Sequence, residues 1–305
     1  MEKQNIDLDR ALGFAIPARS ARGRLVRLGP TLDRVLAAHA YPPAIERLLA
    51  EALTLVALIG STLKDPQAQL TMQTRSETGV VQLLVCDYRG GEVRGYVEFD
   101  ADRLAAGPAD PTLWALFGKT YLAITFDLAA TGERYQGIVP LDGDTLAEAA
   151  ESYFVQSEQI PSLVRVGIAK RADGTTAAGG LFLQHLPEGE DGRERLHTRL
   201  DHPEWEHIEA LGQTVESAEL ADAQLPLEAL LWRLFNEDEV RLLAATAIVR
   251  GCRCDGEYIR SVLAKFSDDE RREMADEQGL IKVDCAFCAQ VFAVPAEPQA
   301  AGVNG

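Results

Sequence analysis

The run Val80-Val-Gln-Leu-Leu-Val-Cys-Asp-Tyr-Arg-Gly-Gly-Glu-Val-Arg-Gly-Tyr-Val-Glu-Phe99 decides the fold class. Two segments rich in β-branched and aromatic residues, Val80 to Tyr88 and Glu92 to Phe99, flank Arg89-Gly90-Gly91. Paired glycines supply the positive φ that a tight hairpin needs, so the spacing predicts two antiparallel strands. The pattern repeats outward. Leu70 to Thr74 reads as a strand. Lys119 to Leu128 pairs with Tyr135 to Leu141 around Thr131-Gly132, and Leu163 to Ala169 pairs with Gly180 to Leu186 around Asp173-Gly174. The arginine-studded segment ending Leu25-Val-Arg-Leu28 reads as one further strand with a wet face. Helical periodicity comes in isolated blocks. Pro42-Pro43 opens a helix with Ile45, Leu48, Leu49, Ala52, Leu53, Val56 and Ile59 on helical spacing, closed by Gly60. Thr145-Leu-Ala-Glu148 is a capping box. Hairpins with interspersed helices predict an α+β class with an antiparallel-sheet N-terminal domain, rather than a doubly wound sheet.

The chain has 305 residues and a net charge of −17. That length predicts about two domains. The acidic balance argues against nucleic acid and anionic membranes as partners, because both reward a basic face. Met1 to Arg10 is polar, without the apolar core of a signal peptide, and Ala44 to Ile59 is too short and too charged to span a bilayer. A cytoplasmic protein is expected.

Between Leu186 and Arg241 there are 15 Asp/Glu against 5 Arg and no Lys, a local charge of −10. Strand signals vanish there. Leu196, Leu200, Trp205, Ile208 and Leu211 are sparse helical positions, and Pro226 to Phe235 is a clearer amphipathic helix. Such a segment is weakly stable unless it packs on something. Leu227, Leu230, Leu231 and Leu234 are expected to lie against the N-terminal sheet. A lysine at position 216 is expected to add helix-stabilising pairs. Four parts follow: an N-terminal α+β domain over 1–187, an acidic helical connector over 188–244, a cysteine-bearing domain over 245–295 and a disordered tail over 296–305.

Of five cysteines, four crowd near the C-terminus: Cys252-Arg-Cys254 and Cys285-Ala-Phe-Cys288. The second pair sits between the apolar runs Leu280 to Val283 and Val291 to Val294, which makes a knuckle whose thiolates converge on one metal. Four sulfurs at tetrahedral geometry suit Zn²⁺ and leave no open position for a reactive water. A purely structural zinc is one reading. The Cys-x-Cys spacing favours another, because its disulfide would close a small strained ring, labile and suited to regulation.

Other motifs read as bland. Gly118-Lys119-Thr120 ends like a phosphate-binding loop, but the required earlier glycine is Leu113, so no nucleotide is expected. His197, His202 and His207 do not share a helical face and read as solvated. Cys86 reads as a buried small hydrophobe. Between Ala245 and Pro295 there are 7 Lys/Arg and 9 Asp/Glu, which removes the basic footprint of a nucleic-acid-binding ribbon.

Taken with these cysteines, Tyr153-Phe-Val-Gln-Ser-Glu-Gln-Ile-Pro161, Tyr135-Gln-Gly-Ile-Val-Pro140, Ala178-Gly-Gly-Leu-Phe-Leu-Gln184 and Arg94-Gly-Tyr96 resemble the redox-regulated 33 kDa chaperonin family, heat shock protein 33. The resemblance runs from about residue 10 to 295. It implies a non-enzymatic, ATP-independent holdase that is inactive when reduced and zinc-loaded. Oxidation would release zinc, unfold the C-terminal part and connector, and promote a homodimer that binds unfolded client proteins. It further implies one Zn²⁺ per reduced chain on Cys252, Cys254, Cys285 and Cys288. The implied disulfides are Cys252–Cys254 and Cys285–Cys288. The competing expectation is an interaction protein with a constitutive structural zinc.

Overall fold

The computed structural model describes residues 8–186 and 202–296. Residues 187–201, which include His197, and the expected tail from 297 onward lie outside the described residues. Contacts divide the chain into two compact units, Met1–Gly251 and Cys252–Gly305.

The first unit runs β1 (Arg10–Ile16), β2 (Ala21–Leu28), α1 (Pro30–Leu36), α2 (Pro43–Gly60), β3 (Gln69–Arg75), β4 (Val81–Arg89), β5 (Glu92–Phe99), α3 (Ala101–Ala105), α4 (Leu113–Phe117), β6 (Tyr121–Leu128), β7 (Glu133–Pro140), α5 (Leu146–Tyr153), β8 (Ser162–Lys170) and β9 (Thr176–His185). It continues with α6 (Pro203–Gln213), α7 (Ser217–Ala221), α8 (Leu227–Phe235) and three two-residue strands, β10 (Arg241–Leu242), β11 (Thr246–Ala247) and β12 (Val249–Arg250). The class is α+β, with mainly antiparallel sheets. The first sheet has the order β10-β1-β2-β9-β8, with β11 also on β1. The second has the order β12-β5-β4-β3-β6-β7. The β4–β5 hairpin turns at Gly90 and Gly91, whose φ values of 54° and 91° only glycine adopts at no steric cost.

α2 lies between the sheets. Its Leu49, Leu53, Val56 and Ile59 share one core with Val26 and Phe182 of the first sheet and Leu70, Met72, Leu84 and Ile124 of the second. It is buried nearly all round, so its helical stripe is wider than a surface helix needs. Cys86 sits fully buried in this core, as its apolar strand implies. Thr145 caps α5 through the Glu148 N–H at 3.2 Å. Glu148 does not close the box: its carboxylate accepts from the Asp144 N–H instead.

The opposite face of the first sheet carries the connector helices. Trp205, Ile208, Leu220, Leu227, Leu230, Leu231, Leu234 and Phe235 form a second core with Leu12, Phe14, Leu25, Leu163, Leu181 and Leu183. The four connector leucines expected on the sheet are all buried there. Trp232 is not part of it and is 69% exposed. Because the sheet is covered on both faces, β9 is buried at every position and its sequence does not alternate.

Two expectations are corrected. The arginine-studded segment is a strand, β2, as expected, but a further strand that was not expected, β1, precedes it and pairs with it. The arginines do not share one solvated face: Arg27 points to the connector side, while Arg22 and Arg24 alternate to the other face, where they donate to Gln184 and to the Ser61 carbonyl. Arg27 is wholly buried. Arg19 pairs with Glu204 at 2.6 Å and Asp238 at 2.9 Å, and Arg10 with Glu228 at 2.5 Å. Each partner lies in the acidic stretch, so its charge is spent partly on these basic side chains.

Candidate metal centre

The second unit contains α9 (Gly256–Leu263), α10 (Asp268–Met274), β13 (Leu280–Asp284) and β14 (Val291–Pro295). Asp255 caps α9 through the Glu257 N–H, and Ser267 with Glu270 forms a complete capping box on α10. Among the described residues its apolar core is four side chains, Leu263, Ile281, Val294 and Ala296, with Ile259, Ala275 and Val283 at the margin. So small a core gives little stability by itself.

Cys252 and Cys254 lie in the irregular segment between β12 and α9. Cys285 and Cys288 occupy the turn joining β13 to β14. That turn is fixed by backbone hydrogen bonds: the Cys288 and Ala289 N–H groups donate to the Cys285 carbonyl at 3.2 and 2.8 Å, and the Cys285 N–H donates to the Gln290 carbonyl. Ala289 takes a left-handed φ of 56° to close it. Both thiols of the knuckle therefore face one point.

The structure brings all four cysteines together. Their sulfurs lie within 4.8 Å of one another, and Cys252–Cys285 and Cys254–Cys288 are each 3.6 Å apart. A tetrahedral ion with metal–sulfur bonds of about 2.3 Å would set sulfurs about 3.8 Å apart. The cluster could hold a metal ion at four thiolates. Cys86 belongs to the first unit and is buried there.

The electrostatics favour a cation. Burial opposes ionisation of Cys252, but hydrogen bonds from the Cys254 backbone and the neighbouring thiols outweigh it and lower that thiol. Burial, then hydrogen bonds to Cys252 and Cys288, raises Cys254; burial likewise raises Cys288. One thiolate forms readily and hinders the next, since like charges this close repel. A dication removes that conflict. Among the described residues no other group of three or more potential ligands converges in this way.

Of the other singled-out residues, His202 caps α6, accepting from the Glu204 N–H at 3.3 Å, and His207 contacts Asp238 at 3.3 Å. Thr120 donates to the Arg75 carbonyl in a strand-entry turn. Sequence reasoning missed His185. It is 2% exposed, its ring lies 4.8 Å from that of His202, and neither ring nitrogen has a hydrogen-bond partner. No helix among the described residues is long and apolar enough to cross a membrane.

The family model for Hsp33 protein matches residues 9–295. The "33 kDa chaperonin" of Caulobacter vibrioides is 38% identical over 291 residues, covering 93% of this chain and 94% of that protein. The "33 kDa chaperonin" of Yersinia pestis is 34% identical, covering 97% and 96%. The crystal structure of a heat shock protein 33 homologue from Thermotoga maritima superposes with a TM-score of 0.77 at 22% identity, over 94% of this chain and 95% of that one.

Proposed function

The chain belongs to the Hsp33 family, and on that premise we propose that it is a redox-regulated, ATP-independent holdase chaperone of the cytoplasm. The observation that carries the proposal is the gathering of four thiols within 4.8 Å in a unit whose core is four apolar side chains. In the reduced state one Zn²⁺ is held by Cys252, Cys254, Cys285 and Cys288. Structural zinc supplies about 10–16 kcal/mol of apparent folding free energy in small domains. Without it, the second unit has too little core to stay folded.

Oxidation proceeds in two-electron steps. Two thiolates give up two electrons and join as a disulfide, while one peroxide takes those electrons and two protons to become two waters. Two peroxides convert all four thiolates, and the ion loses its ligands. The family resemblance implies Cys252–Cys254 and Cys285–Cys288 as the pairs.

The run from 241 to 250 is laid on β1 through β10 and β11 and on β5 through β12, immediately before Cys252. Melting that starts at Cys252 therefore pulls first on this strap and next on α8. Release of the connector, 188–244, bares Trp205, Leu230, Leu231, Leu234 and Phe235 together with the sheet face beneath them, an apolar surface able to hold unfolded clients. Oxidation also promotes the homodimer. The acidic character of the connector keeps the loaded complex soluble.

The test follows zinc with a chromogenic chelator while peroxide is added, and measures suppression of client aggregation without nucleotide. One zinc per chain should leave as holding appears, and Cys86→Ser should behave as wild type. Zinc release without a gain in holding would leave an interaction protein with a structural zinc.

A further inference from the structure

On the connector side of the first sheet, Arg27 of β2, Gly179 of β9 and Gly167 of β8 form one row of cross-strand neighbours. α7 lies on this row backbone to backbone. A methyl group built at Gly179 would stand 2.0 Å from the Leu220 carbonyl oxygen, and one at Gly167 would stand 2.0 Å from that of Ser217. No side chain fits at either position while α7 is docked. At the end of the row the buried Arg27 guanidinium donates to the Leu220 carbonyl at 2.9 Å, the Glu219 carbonyl at 3.0 Å and the Leu225 carbonyl. These are the carbonyls at the C-terminal end of α7 and in the turn beyond it. The two in α7 stand at the negative end of the helix dipole, and the Glu219 carbonyl also accepts from the Asp222 N–H at 3.4 Å. A planar guanidinium with five donors suits this task, and an ammonium does not reproduce it. Arg233 of α8 pairs with Glu219, so what seats α7 also steadies α8.

We propose that Arg27, Gly179 and Gly167 are the latch of the connector. They are positioning residues that read the backbone of α7 and keep the reduced protein inactive, and undocking α7 from them is the activating step. The latch rests on the holdase reading above. It places the control of activity in a backbone-reading seat, in addition to the apolar contacts of α8. Arg27 is polar, so the seat opens without a cavity-sized rearrangement of the leucine core: water can replace the guanidinium on the three carbonyls once α7 lifts.

The experiment uses full-length, zinc-loaded, reduced protein. Arg27→Met, Arg27→Lys, Gly179→Ala and Gly167→Ala are compared with wild type by hydrogen exchange over 203–235, by zinc content and by suppression of client aggregation. Oxidised wild type runs in parallel. Arg27→Met removes the buried donor to three carbonyls, and exchange over the connector should accelerate at least about a hundredfold. The glycine variants should do the same with Arg27 still present. Arg27→Lys should fall between. All should retain one zinc, and Arg27→Met and Gly179→Ala should hold clients while reduced. Exchange over β3 to β6 reports that the rest of the unit is folded. Wild-type exchange in the two glycine variants would overturn the latch, whatever Arg27→Met does. So would fast connector exchange with no holding by the reduced variants. A failure of the chaperone reading is separate and visible: oxidised wild type would not hold clients, and exchange alone would then judge whether the seat docks α7.

Discussion

Leu230→Ala isolates the contribution of connector packing. Leu230 is wholly buried on α8, in the core that includes Phe14, Leu25 and Leu181 of the sheet. Truncating a fully buried leucine costs about 2–5 kcal/mol, the transfer of the lost methyls plus the cavity they leave. The lost contacts are between connector and sheet, so the cost falls on local opening of the connector. At about 1.4 kcal/mol per factor of ten, a loss of about 3 kcal/mol raises the open population roughly a hundredfold. Trp232 on the same helix is the control, because it is 69% exposed and its truncation should shift stability by only about 0.5 kcal/mol or less. Hydrogen exchange over 203–235 in reduced, zinc-loaded protein reads the opening, and client aggregation reads its consequence. Leu230→Ala should exchange about a hundredfold faster and hold clients without oxidant, while Trp232→Ala should do neither. Fast exchange in Leu230→Ala without any holding would refute the inference that connector release is enough for activity.

Acid should loosen the connector through His185. Burial, then the neighbouring His202, holds His185 below its ordinary value, with Glu204 the one facing group that raises it. The unfolded chain therefore binds this proton more readily, and stability is lost as pH falls through about 6.5. Exchange in α6, corrected for intrinsic rate, should be faster at pH 5.5 than at 7.5, and His185→Phe should flatten the dependence; a wild-type profile already flat would contradict it. Glu216→Lys should loosen the connector rather than tighten it. Glu216 is the N-cap of α7, its N–H donating to the Glu219 carboxylate at 3.1 Å, so a lysine meets the positive helix end at a cost of about 0.3–1 kcal/mol. Slower exchange over 217–221 in this variant would restore the view that position 216 lies within a helix.

That reversal at position 216 shows where local pattern fails. The stretch around Glu216 reads as helix-compatible, and only the structure places a cap there, since the following helix is five residues long. Hairpins were legible because turn chemistry and two-residue alternation are local: Arg89-Gly90-Gly91 determines its turn unaided. β1 was missed because Ala11-Leu-Gly-Phe14 is buried on both faces and does not alternate. The arginine run was misread for the same reason in reverse. Its partners Glu204, Leu220 and Asp238 lie 185 to 219 residues away in sequence, and no periodicity connects them. The four cysteines were legible in type and spacing, because a knuckle is a short-range object. Their convergence joins residues 33 apart across two helices, and it needed the fold. His185 gave no signal at all, since an imidazole buried without partners looks in sequence like any other strand residue.

The central claim is that the state of the four cysteines governs holding. It is tested most directly by measuring client holding on one sample through a full cycle: reduced with zinc, oxidised with peroxide, then reduced again with zinc restored. The account predicts weak holding, strong holding and weak holding again, with zinc bound, released and rebound in step. Equal holding in all three states would contradict it.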